Sequence, residues 1–250
     1  MKRETCLISD IDGTIKNKEK DLSFAQYAKK NEGTLFTAYA TGRSYEAFLY
    51  AVEEEGLYAP DAAILYTGAD IYIKEGIGYE HLAEWHEKIR KSGWDFPKVV
   101  NLFEKVMGIM PQENMYEYRP AYYINPGMHA LVREQVKALL ESEGLKAQVI
   151  ISGEKYLDVL PLICDKGKAA VYLVAQLGID REKVIVAGDS GNDVHLFENF
   201  KRGIVVANAD ADLKNALTAM RGKDIYFAKQ GYALGVIEGL DYFDAKGEKK

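Results

Sequence analysis

Two aspartates stand two residues apart in Ser9-Asp10-Ile11-Asp12-Gly13-Thr14, directly after the short apolar run Cys6-Leu7-Ile8. A buried strand that empties into paired carboxylates and a turn glycine is costly to hold together unless a cation or reaction chemistry uses the charge. A second such place lies far downstream, where Val184-Ile185-Val186-Ala187 runs into Gly188-Asp189-Ser190-Gly191-Asn192-Asp193. Between the two come Thr41-Gly42-Arg43-Ser44 and Lys166-Gly167-Lys168. If the apolar runs are parallel strands, their ends meet at one edge of a sheet, the usual ligand side of such sheets. That edge would carry carboxylates, a hydroxyl, an ammonium and free backbone amides. Phosphoryl transfer needs this inventory.

Asp10, Asp12 and Asp189 offer hard oxygen ligands, and such a set with open positions for water and phosphate suits Mg²⁺. Thr41 and the amides near Gly42 can hold phosphate oxygens, as can the amides around Gly13. Lys166, at a helix start, adds a cation that offsets repulsion between a carboxylate and a phosphate dianion. Asp10 ends the apolar strand, where packing holds it rigidly, so it is assigned as the nucleophile that forms an aspartyl-phosphate. Asp12, in the turn, is assigned as the acid that protonates the leaving alcohol and then as the base that activates water. Thr14 and Asn192 are expected to orient these groups, Asn192 also touching substrate. Asp193 is either a water-mediated metal ligand or a partner for Lys166. Arg43 either caps its helix or binds substrate. Lys168 reads as an exposed helix residue and His195 as a surface or packing residue. Tyr122 and Tyr156 are candidates to stack on a sugar ring. Asn208 follows a strand that ends near the site, and a turn role and a site role fit it equally.

The elements that must position these groups follow from hydrophobic periodicity. Strands are expected at Leu7–Ile8, Thr34–Ala40, Ala62–Tyr66, Val184–Ala187, Gly203–Val206 and Ile225–Phe227. Helices are expected at Ser23–Asn31 (with Ser23 as N-cap), Tyr45–Glu55, Lys166–Leu177, Val194–Phe197, Asp210–Met220 and Tyr232–Phe243. Ile71–Ile73 pairs naturally with Gly76–Tyr79 as a hairpin. This alternation predicts an α/β fold with a parallel sheet. The rhythm changes near Leu82. Helical patterns at Leu82–Lys91, Lys98–Met107 and Gly127–Gly144 are followed or separated by strand patterns at Glu117–Ile124, Ala147–Ser152 and Tyr156–Val159. The simplest organisation is a discontinuous core of residues 1–81 and 159–250, with an α+β insert at 82–158 that closes over the site and reads the leaving group. The charged tail Lys246–Lys250 is expected to fray.

Composition sets the function classes. The 250 residues carry a net charge of −6 and a pI near 5.4, which argues against nucleic acid or an anionic membrane as partner. The two cysteines lie among apolar residues and read as buried thiols of a reducing compartment. The start lacks a signal-peptide apolar run, and no run is long enough to span a bilayer. A cytoplasmic protein that acts on a small molecule is expected, with a monomer as the simplest state.

Taken together, DxDGT, the Thr41 motif, the Lys166 motif and GDSGND in this order resemble the haloacid dehalogenase superfamily of Mg²⁺-dependent phosphohydrolases. The short gap between the first two motifs and the long insert before Lys166 resemble the members with a type-C2B cap. Ala40-Thr41-Gly42-Arg43-Ser44, Leu157-Asp158-Val159-Leu160-Pro161, Lys166-Gly167-Lys168-Ala169 and Ala233-Leu234-Gly235-Val236-Ile237-Glu238-Gly239-Leu240 are similar to the sucrose-phosphate phosphatase group. The resemblance implies a Rossmann-like core, Mg²⁺ at Asp10, Asp12 (through its backbone carbonyl) and Asp189, and phosphate at Thr41 and Lys166. It implies a sugar phosphate as substrate. The family tends to a glycine-rich turn before its LDVLP-like segment, whereas Ser152-Gly153-Glu154-Lys155-Tyr156 has one glycine and two opposed charges. That departure widens the expected substrates to phosphorylated disaccharides and glycosylglycerates. The alternatives are a phosphomannomutase-like phosphotransferase and a broad-specificity Cof-type sugar phosphatase. A receiver-type regulatory protein would be much shorter and would lack both the insert and the Asp10/Asp12 pair.

Overall fold

A computed structural model describes residues 5–17, 19–113 and 115–247. In chain order the first stretch holds β1 (Thr5–Ser9), α1 (Ser23–Lys30), β2 (Leu35–Ala40), α2 (Tyr45–Glu53), β3 (Ala62–Leu65), β4 (Asp70–Glu75) and β5 (Gly78–His81). The middle stretch holds α3 (Ala83–Lys91), α4 (Phe96–Phe103), β6 (Ile109–Pro111), β7 (Ala121–Ile124), α5 (His129–Glu143), β8 (Ala147–Ser152) and β9 (Tyr156–Pro161). The last holds α6 (Lys166–Gln176), β10 (Val184–Gly188), α7 (Val194–Asn199), β11 (Arg202–Val205), α8 (Ala211–Thr218), β12 (Asp224–Phe227) and α9 (Tyr232–Gly247). The chain divides into two compact units, Met1–Leu82 with Lys166–Lys250, and Ala83–Asp165.

The first unit is built on an eight-stranded sheet of order β12-β11-β10-β1-β2-β3-β4-β5. Strands β12 to β3 run parallel, and β4 and β5 form an antiparallel hairpin at one end. Leu7, Ile8, Ala38, Tyr39, Ile64, Val186 and Ala187 are all buried, so both faces of the central strands are covered. Near-continuous apolar runs are what such strands require. The register places Ser9 opposite both Ala187 and Tyr39, so the chain leaves β1, β2 and β10 along one edge.

The second unit is an antiparallel sheet of order β6-β7-β9-β8 with its own core. Val99 and Phe103 from α4 and Val132 and Val136 from α5 pack on Tyr122, Ile124, Leu157 and Val159. This unit ends later than residue 158, the expected end of the insert. Strand β9 pairs with β8 from Tyr156 opposite Ser152 to Pro161 opposite Ala147, so a boundary at 158 would cut a ladder in half. The Gln148 side-chain amide then donates to the Cys164 carbonyl, which ties the segment after β9 to the same sheet.

Local differences have local causes. Ser23 is the first residue of α1 rather than its cap, and its amide donates to Asp21 Oδ1 at 2.8 Å. Helix α4 starts earlier than the apolar periodicity implied, because the Asp95 side chain accepts from the Lys98 amide and Pro97 fits the first turn. The tyrosine-rich stretch expected as one strand is broken by an isolated bridge between Tyr116 and Arg119, and only Ala121–Ile124 pairs as β7. Residues 248–250 of the charged tail lie outside the described residues. Both cysteines are buried and neither is part of a disulfide. Among the described residues no helix is long and apolar enough to cross a membrane.

Helix α6 meets α7 so closely that a Cβ on Gly167 would run into the His195 carbonyl. A backbone atom cannot swing away as a side chain can. Gly167→Ala should therefore cost about 1–3 kcal/mol of stability. Urea denaturation reads this, and an unchanged midpoint would mean that the two helices do not make this contact.

Candidate active site

Asp10 follows β1 directly and stays in the sheet's bonding pattern, its amide donating to the Ala187 carbonyl at 3.0 Å. The chain then turns sharply. The amides of Thr14, Ile15 and Lys16 all converge on the Ile11 carbonyl, at 3.3, 3.0 and 2.8 Å. Gly13 takes φ +90° in this turn, and the place where its Cβ would stand is filled by the Asp189 carboxylate. Any other residue would be strained and would also displace that carboxylate. Thr14 Oγ1 donates to Asp189 Oδ1 at 2.9 Å, which fastens the first motif to the last.

Asp189 leaves β10 into a short 3₁₀ turn over Gly191–Asp193. Asp193 anchors that turn from within. Its Oδ2 accepts the Asp189 amide at 3.0 Å and the Ser190 amide at 3.1 Å. Its Oδ1 accepts from Lys166 Nζ at 2.7 Å. Lys166 opens α6 and is 1% exposed. It also donates to Asp10 Oδ1 at 2.7 Å and to Asn192 Oδ1 at 3.1 Å, so all three ammonium hydrogens have acceptors. Of the two roles left open for Asp193, the geometry realises the partnership with Lys166.

The electrostatics leave this cluster short of positive charge. Burial pushes the Asp10 carboxyl well above the usual carboxylate range; Lys166 opposes the shift, while Asp193 and Asp189 add to it. Burial first, and then Asp193, push Asp189 up to about 6. Burial works against the Lys166 charge, yet Asp10 and Asp193 overcome it and hold the ammonium above its ordinary range. Oxygens of Asp10, Asp189 and Asp193 can all lie within 4.8 Å of one another. One ammonium among three carboxylates leaves a site for a divalent cation that prefers oxygen.

The structure takes the Asp12 side chain elsewhere. Its Oδ2 and Oδ1 accept from Arg43 Nε and Nη2, both at 2.7 Å, in a two-pronged pair. Arg43 Nη1 continues to Glu55 Oε2 at 3.2 Å and to the Ala47 carbonyl at 3.3 Å. The guanidinium expected to cap a helix or to touch substrate is thus engaged with Asp12 and Glu55, and it reaches one helix carbonyl. Glu55 had no signal in the sequence, since it lies in an ordinary charged helix end.

Thr41 is buried just past β2. Its amide donates to the Ile64 carbonyl at 2.9 Å, and its Oγ1 accepts the Arg43 amide at 3.2 Å, which leaves the hydroxyl hydrogen to donate. A brace on the next loop was not anticipated. The Thr67 amide donates to the Thr41 carbonyl at 2.9 Å and the Tyr66 amide to the Arg43 carbonyl at 3.0 Å. Both brace residues sit in the left-handed region, at φ 59° and 50°. The string Tyr66-Thr67-Gly68 reads in sequence as a strand end, and only its glycine hints at a turn. Lys168 is exposed, whereas the His195 carbonyl packs on α6. In the second unit Tyr122 is buried and stacks on Phe103 at 5.6 Å, so it is not a sugar platform. Tyr156 is exposed, and Tyr123 is exposed beside it with ring centroids 5.9 Å apart.

Comparison with known proteins identifies the family of the chain. The family model of sucrose-6F-phosphate phosphohydrolase matches residues 3–244. The mannosylfructose-phosphate phosphatase of Agrobacterium fabrum (strain C58) is 28% identical over 97% of this chain and 98% of its own. A sucrose-phosphatase 3b relative from Arabidopsis thaliana, described as probable, is 25% identical over 95% of this chain, which spans 59% of that protein. The crystal structure of the sucrose-phosphatase from Synechocystis sp. PCC6803, in complex with sucrose and phosphate, superposes with a TM-score of 0.88 at 29% identity, covering 97% of this chain and 98% of that one. The chain belongs to the sucrose-6F-phosphate phosphohydrolase family, a group of phosphatases within the haloacid dehalogenase superfamily.

Proposed function

We propose that this protein is a Mg²⁺-dependent hydrolase of a disaccharide phosphate, acting through a phosphorylated Asp10. The observation that carries the reading is the buried Lys166 ammonium fixed between Asp10 and Asp193, with Asp189 alongside. Mg²⁺ held by oxygens of Asp10 and Asp189, with the Asp12 backbone carbonyl, would supply the charge that lets a phosphate dianion approach a carboxylate.

The other steps belong to the chain's own groups. The Thr41 hydroxyl orients the phosphate oxygens, and Lys166 joins it by exchanging its Asn192 bond for a phosphate oxygen. An Asp10 oxygen attacks phosphorus, an acyl-phosphate bond forms and the ester P–O bond breaks. Asp12 gives its proton to the departing alcohol oxygen. Water then attacks the phosphorus of the intermediate, Asp12 takes a proton from it, and Asp10 is regenerated as phosphate leaves. Asp12 must exchange its two Arg43 hydrogen bonds for a proton before it can act as an acid. Glu55 and the Ala47 carbonyl remain as partners for Arg43 during that exchange.

The leaving group is read, in this proposal, by the Ala83–Asp165 unit acting as a cap. Tyr123 pairs across the sheet with Met110 on one side and Tyr156 on the other, and all three are exposed. Two exposed tyrosines with hydroxyl tips beside a methionine suit the faces and hydroxyls of a sugar. Sucrose 6-phosphate and mannosylfructose phosphate are the first substrates to test, since relatives are named for both sugars.

Phosphate release from a panel of sugar phosphates, with Mg²⁺ and with EDTA, tests the function. Mg²⁺-dependent preference for one disaccharide phosphate is expected, and no release from any substrate would sink the reading. Asp10→Asn should lower turnover by about a thousandfold or more without loss of fold; full activity in that variant would refute the nucleophile. Tyr156→Ala should raise KM for the preferred disaccharide phosphate about tenfold and leave acetyl phosphate unchanged. Equal effects on both substrates would rule out a sugar contact.

A pH dependence follows from Asp189. Its folded value of about 6 lies above the ordinary 3.8, so the folded state binds the extra proton between these limits. Its contribution to metal-free stability is present below about pH 4 and is lost as pH rises through about 6. Mg²⁺ should restore that loss, so its gain in Tm should be larger near about pH 7.5 than near about pH 5. A gain independent of pH would remove Asp189 from the metal site.

A further inference from the structure

Asn208 lies on the segment between β11 and α8, and both ends of its amide are used. Nδ2 donates to the Gly13 carbonyl at 2.7 Å. Oδ1 accepts the Tyr232 amide at 2.9 Å, at the start of α9. One side chain thus joins the turn after Asp10 to the first residue of the last helix. Its own backbone is held from both sides. The Ala207 amide donates to the Gln230 carbonyl at 3.0 Å, and Lys214 Nζ donates to the carbonyls of Ala207 and Ala209 at 3.1 and 2.6 Å. Glu238 in turn accepts the amides of Lys229 and Gln230, which fixes the loop that faces Asn208.

The partner of Nδ2 is the residue that most needs an outside hold. Gly13 sits at φ +90°, in a region where a glycine has many neighbouring conformations open to it. Its amide is tied to the Lys16 carbonyl at 2.9 Å. Without Asn208 its carbonyl would have no such tether, and the two peptide planes flanking Gly13 carry Asp12 on one side and Thr14 on the other. Thr14 is the residue that bonds Asp189.

We propose that Asn208 is a positioning residue for the Asp10–Thr14 turn. Its Nδ2 fixes the Gly13 carbonyl, and through it the approach of Asp12 to the leaving group and of Thr14 to Asp189. The consequence for rate rests on the functional reading given above; the consequence for the turn does not. Asn208 is exposed overall, so one amide–carbonyl bond there is a small part of the molecule's stability. A displacement of about 1 Å among reacting groups, in contrast, can cost about a hundredfold in rate. A large loss of kcat with a small loss of Tm is therefore the signature of positioning, and the reverse is the signature of a brace.

Asn208→Asp separates the two ends of the side chain. It keeps an oxygen for the Tyr232 amide and places an oxygen where the Gly13 carbonyl had a donor. Two readouts on the full chain decide the matter. In hydrogen–deuterium exchange, amides of residues 13–16 should exchange about tenfold faster in the variant, while Tyr232 and its neighbours keep wild-type protection. In kinetics on the preferred sugar phosphate, kcat should fall about ten- to a hundredfold, with KM within about threefold and Tm within a few degrees. Unchanged exchange in the turn overturns the proposal, whatever the activity. Faster exchange in the turn with unchanged kcat overturns the link to catalysis. A fall in kcat matched by a large fall in Tm would make Asn208 a structural brace. If the wild-type chain releases no phosphate, the functional reading fails, and the exchange data still decide the role of Asn208 in the turn.

Discussion

A positive charge inside a protein must find negative partners, and here one ammonium sets the arrangement of its surroundings. Lys166 is buried at the start of α6 and is satisfied by Asp10, Asp193 and Asn192. Asp10 follows β1, whereas Asn192 and Asp193 are neighbours in the turn after β10, so the ion triad can form only when β1, β10 and α6 are assembled. A buried pair of this kind is weak evidence for stability, because desolvation works against it. Its value lies in geometry: it fixes where the carboxylates stand and gathers an anionic corner beside them. The close fit of α6 on α7, with no room for a side chain at Gly167, holds the lysine's own backbone in place.

The rest of the edge is organised by backbone bonds rather than by further charge. Three amides converge on the Ile11 carbonyl, two amides close on Asp193 Oδ2, and the left-handed pair Tyr66–Thr67 supports the Thr41–Arg43 loop. Amides and carbonyls cannot rotate independently of the chain, so a site held this way is already shaped before a ligand arrives. Arg43 and Asp12 form the exception. Their pair is partly exposed, with Asp12 at 56%, and both partners are side chains. It is the part of the edge able to rearrange without refolding anything.

Most of this was legible from the chain itself where the signal was local. The apolar runs that end in Asp10 and Asp189 had to be strands buried on both faces, and the carboxylates at their ends had to share an edge. What escaped was set by pairing at a distance. Nothing in residues 156–161 states that β9 completes the second sheet, so the boundary of that unit was placed too early. In Tyr122-Tyr123 the composition is the same at both positions, and only the parity of the strand turns one toward Phe103 and the other outward. Glu55 and Asn208 gain their meaning from partners 12 and 195 positions away, which no spacing rule encodes. Ser23 is not the cap because the helix already begins with it, after Leu22.

The Asp193 carboxylate serves two masters, with one oxygen on Lys166 and the other on the Asp189 and Ser190 amides. Drift at this place is therefore coupled. Replacing Lys166 would leave buried carboxylates facing one another, and replacing Asp193 would strip the turn and the ammonium together. A single substitution in the triad therefore leaves a buried charge without its partner, which is costly. The half-exposed Asp12–Arg43 pair and the open face of the second sheet impose no such barrier. Descendants of this fold can accordingly vary these two places far more readily than the triad.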